Sequence, residues 1–274
     1  FQLMTMKVSP QIAVITNVGT AHIGNLGSRE NILKAKLEIL EGLDKNGCLI
    51  INNDNDMLHM WNEKNKQYNV IDFGISNKSY AMAKEINLDG ECSNYKLSIE
   101  NNNYDVNVPI GGEPFVYNSL CAVCVGKALN ISFENIISGI KNFKYRMEII
   151  KVNNITIIND CYNANFDSMK AGIENLAKMN AKRKIAILGD MLELGEYSEK
   201  LHKAVGKEVA KNNINELIVV GNESKNIAKE AKDCGMKEKN IHEFDKNNDV
   251  IKFIISNKED DDCILIKASN GMHF

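Results

Sequence analysis

The second half of the chain carries a rhythm that constrains the fold more than any other feature. Short β-branched and apolar runs recur at Thr156–Asn159, Lys184–Leu188, Leu217–Val220, Ile241–Phe244 and Cys263–Ile266, and each interval between them places apolar residues at helical spacing. Strands that alternate with helices pair in parallel through crossover connections, so residues 145–274 are expected to form a doubly wound, Rossmann-like α/β domain. The intervals share too little sequence to be repeats of one unit.

Before that rhythm starts, the pattern is different. Ile12–Thr16 reads as a short strand, Asn17–Gly27 as a polar loop rich in Gly, Asn and Thr, and Ser28 as the cap of a helix over Arg29–Leu43. Cys48–Ile51 and Val70–Phe73 read as buried strands, and Tyr80–Val108 alternates apolar with polar residues as antiparallel strands do. A helical pair is predicted at Tyr117–Leu129 and Phe133–Asn142. The change of pattern near Phe143–Tyr145 predicts two α/β domains, residues 1–144 and 145–274. A chain of 274 residues with 44 % hydrophobic content can fill two cores, since domains usually run about 100–200 residues.

A formal charge of −3 supplies no basic face for nucleic acid or an anionic membrane, which leaves small-molecule chemistry as the expectation. The seven cysteines are scattered through apolar segments rather than spaced as a disulfide framework, and neither a signal peptide nor a long apolar run is present. A reduced, cytoplasmic protein is expected, without membrane insertion and as a monomer. Cys121 and Cys124 have CxxC spacing but sit at helical core positions, and Trp61 reads as a half-buried packing residue.

Three segments could carry chemistry. In ITNVGTAHIGNLGSRENILKAKLEILEGL a polar loop leaves the end of a strand, where open α/β sheets bind ligands. His22 in that loop could be a structural hydrogen-bonding group or a ligand; Lys36, among Leu33, Ala35, Leu37 and Leu40, could snorkel to water or be functional. In IINDCYNANFDSM a strand runs through Asp160 into Asn-rich residues and a helix that Asp167 could cap. In ILGDMLELGEYSEKLH the acids Asp190, Glu193 and Glu196 lie close in sequence, as a metal or amine site would require and as a solvated helix cap also would.

Together these strings resemble the Mur ligases, most closely the branch that adds D-alanyl-D-alanine in peptidoglycan synthesis, and the resemblance covers almost the whole chain. It implies the later part of the central ATPase domain followed by the C-terminal Rossmann-like domain. It implies that His22 and a carbamate formed on Lys36 bind Mg²⁺ and are catalytic, and that Arg146, Asp160, Asn163 and Asn165 contact the ribose and phosphates of ATP. Gly111–Asn118 matches the family's GxHNxxN adenine segment only in part: Asn118 is kept, while Pro114 and Phe115 replace His and Asn. Phe166 stands where the family usually has Pro, and Lys267–Met272 departs from a KGSRGM-like ending by losing an Arg. The implied partners are UDP-N-acetylmuramoyl-tripeptide and D-alanyl-D-alanine, joined through an acyl phosphate.

A phosphate-cradling loop needs Gly-Lys followed by Ser or Thr. Gly126-Lys127 is followed by Ala128 and Gly206-Lys207 by Glu208, so neither qualifies. In the family that loop precedes the region resembled here, so a truncated form of the ligase is expected, and the 274 residues alone are expected to turn over little ATP. The rival expectation is a non-catalytic fragment or interaction module that keeps the fold. A folylpolyglutamate-type ligase shares the ATPase architecture, but DCYNAN and GDMLELGEYSEKLH argue against it.

Overall fold

The computed structural model describes residues 8–142 and 148–274. These form two compact units, residues 8–19 with 26–142 and residues 20–25 with 148–274.

The first unit contains, in chain order, β1 (Ile12–Ile15), α1 (Arg29–Leu37), β2 (Cys48–Asn52), α2 (Asp56–Lys64), β3 (Val70–Gly74), β4 (Ala81–Leu88), β5 (Ser93–Ile99), β6 (Asn102–Val108), α3 (Glu113–Ala128) and α4 (Phe133–Lys141). Its sheet has the order β1-β2-β3-β4-β5-β6, parallel from β1 to β4 and antiparallel from β4 to β6. Strand β2 is buried at every position, as a central parallel strand covered on both faces must be. In β5 only every second residue, Ser93, Tyr95, Leu97 and Ile99, is buried, as the two-residue period of a half-covered strand requires. Helix α3 supplies Val116, Leu120, Val123 and Cys124 to this core.

Several boundaries differ from expectation for local reasons. The helix capped by Ser28 stops at Leu37 and tightens into a 3₁₀ turn over Glu38–Glu41, a common way to end a helix ahead of a glycine. Helix α3 starts at Glu113 rather than Tyr117, because Pro114 is tolerated in a first turn whose N–H groups have no intrahelical partner. Helix α2, capped by Asn55 and burying Met57 and Leu58, was not expected from the sequence. Trp61 on α2 is half-buried and packs against Tyr68, with ring centroids 5.4 Å apart. Cys121 and Cys124 are buried in α3, and burial pushes both thiols up, Cys121 to about 11.

The second unit contains β7 (Glu148–Val152), β8 (Ile155–Asn159), α5 (Phe166–Lys178), β9 (Arg183–Gly189), α6 (Ser198–Lys211), β10 (Glu216–Val220), α7 (Lys225–Asp233), β11 (Ile241–Phe244), α8 (Asn247–Asn257) and β12 (Asp262–Lys267). The sheet order is β11-β10-β9-β12-β8-β7; the five strands expected from the sequence run parallel, and β7 adds an antiparallel edge that its exposed, charged residues concealed. Ile264 of β12 joins Ile185, Ile187, Ile218 and Val220 in a cluster with Val250 of α8, while Leu265 lies against Gly172 of α5. Adjacent strand residues point to opposite faces, so helices cover both sides of this sheet.

Candidate functional site

Beyond the last residue of β8, Asp160 keeps the sheet register through its N–H, which donates to the Ile266 carbonyl at 3.0 Å. From the neighbouring strand β12, the Lys267 ammonium donates to Asp160 Oδ2 at 2.6 Å and to the Asn163 carbonyl at 3.0 Å. Lys267 is 1 % exposed, so this ion pair ties the end of β12 to the loop that enters α5. The cap of α5 is Asn165, not Asp167. Asn165 Oδ1 accepts the Ser168 N–H at 2.9 Å, and the Asn165 N–H donates to Ser168 Oγ at 3.1 Å, a reciprocal capping box. Capping thus occupies the side-chain oxygen of Asn165. Asn163 is exposed, with its Oδ1 accepting the Ala164 N–H at 2.9 Å.

The loop after β9 is fixed residue by residue. Asp190 is buried and accepts the Ser224 and Asn222 N–H groups at 2.8 and 3.3 Å, so it closes the turn into α7 rather than facing a ligand. The Met191 N–H donates to His202 Nε2 at 2.9 Å, while His202 Nδ1 donates to the Ser198 carbonyl at 2.8 Å. Burial holds the His202 imidazole below its ordinary pKa and so favours the neutral ring this pattern requires. The Leu192 N–H donates to Ser269 Oγ at 2.9 Å. Glu193 follows, exposed, and its Oε2 accepts from His22 Nδ1 at 2.6 Å. His22, Asn163, Asn165, Glu193, Ser269 and Asn270 line one cavity of about 180 Å³ in this unit. Asp190, Glu193 and Glu196 do not make a metal cluster; among the described residues no group of three or more His, Cys, Asp or Glu side chains gathers to hold an ion.

In the first unit, Lys36 stands half-buried in the last turn of α1, and burial lowers its amine below the ordinary lysine pKa. Asn118 is exposed on α3, one residue after Tyr117, whose hydroxyl donates to Asp54 Oδ2 at 2.9 Å. Asp54 also accepts the N–H groups of Ile75, Ser76 and Asn77, so this carboxylate joins α3 to the loop after β3. Arg146 lies outside the described residues.

Sequence reasoning offered Glu193 only as one acid of a metal or amine site, and it named Ser269 and His202 within family-like strings without giving either a role. A lysine ending the apolar run CILIK was the available signal for Lys267, since a charge at the end of a central strand needs a partner there.

Residues 2–126 match the family described as Mur ligase middle domain, and residues 145–270 match the Mur ligase, glutamate ligase domain. The chain is 33 % identical to the UDP-N-acetylmuramoyl-tripeptide–D-alanyl-D-alanine ligase of Bacillus subtilis, an alignment that covers 98 % of this chain and 59 % of that protein. It is also 33 % identical to the ligase of the same name from Buchnera aphidicola subsp. Baizongia pistaciae, over 97 % of this chain and 58 % of the relative. A crystal structure of MurF from Acinetobacter baumannii superposes with a TM-score of 0.88 at 28 % identity, covering 99 % of this chain and 59 % of that one. The chain therefore spans less than two thirds of each relative, and it belongs to the Mur ligase family, of which it carries the middle domain and the glutamate ligase domain.

Proposed function

We propose that this chain supplies the middle and C-terminal parts of an ATP-dependent ligase that adds D-alanyl-D-alanine to UDP-N-acetylmuramoyl-tripeptide. The observation that carries the reading is 33 % identity, over nearly the whole chain, to a relative whose name states that reaction. The chemistry joins a carboxylate, activated as an acyl phosphate, to the amine of the dipeptide.

Within this reading Lys36 carries a carbamate. Carbamoylation needs a neutral amine, and the burial that lowers the Lys36 pKa supplies one more readily than a solvated lysine would. The carbamate oxygens suit Mg²⁺, which prefers hard oxygen ligands, keeps several waters and takes few groups from the protein. His22 and the Lys36 carbamate are its ligands in this assignment, and the ion when bound neutralises phosphate and carboxylate charge. Asn118 contacts the adenine, and Arg146, Asp160, Asn163 and Asn165 contact the ribose and phosphates. For Asn165 only the amide NH₂ remains to donate, since its oxygen caps α5. For Asp160 the Lys267 ammonium pins one carboxylate oxygen at 2.6 Å.

The 274 residues contain no Gly-Lys-Ser/Thr sequence, so we propose that this polypeptide by itself turns over little ATP. The test joins residues 8–274 to the preceding region of the Bacillus subtilis relative and follows dipeptide addition to the muropeptide. Turnover in the joined protein, lost on Lys36→Ala and on Lys36→Arg, is the expected result. An inactive but folded fusion, or an active Lys36→Arg variant, would overturn the assignment, because a guanidinium does not form the carbamate.

A further inference from the structure

Two residues that are not glycine, His22 and Glu193, adopt left-handed backbone, with φ of 62° each, and their side chains meet at 2.6 Å. Such backbone is uncommon outside glycine and costs free energy, so where it occurs in facing loops the surroundings must impose it. Two glycines do so here. A Cβ on Gly24 would lie 2.6 Å from the Glu193 carbonyl oxygen and 2.7 Å from the Gly195 nitrogen, and a Cβ on Gly195, itself at φ 54°, would lie 3.2 Å from Gly24 Cα. The two backbones can touch only because both positions lack side chains. On the other side, the amides of Met191 and Leu192 are fixed by His202 Nε2 and Ser269 Oγ.

An exposed side-chain contact by itself carries little energy, and His22 and Glu193 are 61 % and 57 % exposed at their side chains. The scaffold around the pair does more than support a surface contact: it sets which ring nitrogen of His22 bears the proton. A carboxylate oxygen accepts, so Nδ1 carries the hydrogen; in the neutral ring this leaves the lone pair on Nε2, which makes no hydrogen bond among the described residues. We propose that Glu193 is a positioning residue that holds His22 as its Nδ1–H tautomer and so presents Nε2 as the ligand to a divalent cation. A carboxylate behind a metal-binding imidazole fixes ring orientation and raises ligand basicity, and its loss costs about 10–100-fold in metal affinity. The proposal rests on the reading of His22 as a metal ligand, and it adds a residue from the loop after β9 to that ligand's support.

The test uses the 274-residue chain labelled with ¹⁵N, and reads the His22 ring by long-range proton–nitrogen correlation about one to two pH units above the ordinary imidazole pKa. The expected result is a protonated Nδ1 and a bare Nε2 without any metal present. Glu193→Ala should move the ring towards the Nε2–H form that free imidazole side chains favour, Glu193→Gln should retain Nδ1–H because its amide oxygen still accepts, and Gly24→Ala should act like Glu193→Ala. Titration with Mn²⁺ in bicarbonate buffer, followed by paramagnetic broadening of the His22 resonances, should need roughly ten-fold more metal in Glu193→Ala. An unchanged tautomer in Glu193→Ala overturns the positioning role, as does an altered tautomer with unchanged Mn²⁺ response. If Mn²⁺ bound to His22→Ala, followed by Mn²⁺ electron paramagnetic resonance, matches the wild type, the failure lies instead in the ligand reading of His22.

Discussion

Asp160→Ala leaves the Lys267 ammonium in place at 1 % exposure with the Asn163 carbonyl, 3.0 Å away, as its remaining acceptor. Removing one partner of a buried ion pair costs about 3–5 kcal/mol, because the other charge stays behind in a poor solvent. The Asp160 side chain is 22 % exposed, so water can enter the vacated space and the cost should fall near the lower end, about 3 kcal/mol. With a urea m-value of about 2 kcal/mol per molar, that moves the unfolding midpoint down by about 1.5 M. Lys267→Met should cost less, about 1–2 kcal/mol, since the carboxylate it strands can hydrate. Urea titration by far-UV circular dichroism measures both variants, and fluorescence of the single Trp61 follows the first unit separately. A midpoint for Asp160→Ala equal to the wild type, or a larger loss for Lys267→Met than for Asp160→Ala, would refute the reasoning.

Burial alone would raise the Asp54 carboxyl, but three backbone N–H groups and the Tyr117 hydroxyl outweigh it and hold the pKa below the ordinary value. A depressed carboxylate adds stability that is complete above the unfolded pKa of about 3.9 and is lost as pH falls through the folded value; Asp54→Asn should therefore flatten the acid limb of the Trp61 unfolding curve. Gly221 has φ 119° and a Cβ there would lie 2.4 Å from Asp190 Oδ1, so Gly221→Ala should destabilise the second unit by more than about 1 kcal/mol, read as a lower Tm. His202→Phe removes the acceptor of the Met191 N–H and should lower Tm by an amount matching about 1–3 kcal/mol, with proteolysis appearing first in the loop after β9.

Where period and apolar content agreed, the sequence was legible. Each parallel strand of the second unit was read to within a residue or two, since central strands are short β-branched apolar runs set between longer helical patterns. The strand β7 and the helix α2 escaped because edge and surface elements follow from their neighbours rather than from their own composition. Among site residues, resemblance named His22, Lys36 and Asp160 with the ligands it implies for them but not the protein groups that hold them. Lys267 on Asp160 and Glu193 on His22 join residues 107 and 171 positions apart, and no local pattern encodes such pairs. The cap of α5 was misplaced by two residues because Asn165, Asp167 and Ser168 are all competent caps, and only the backbone decides among them.

The sheet order of the second unit has a consequence for how the protein is made. Strand β12 lies between β8 and β9, fastened at one end by the Arg183–Asp262 pair at 2.7 Å and at the other by Lys267–Asp160. A ribosome adds about 5–20 residues each second, and until β12 has emerged the growing chain holds β8 and β9 with an open slot between them. The described strands of the first unit, which end at Val108, have all been synthesised while the second unit still waits. A stop codon that removes β12 would therefore cost the whole second unit its centre, leaving two unpaired apolar strand edges as a target for quality-control proteases and for aggregation.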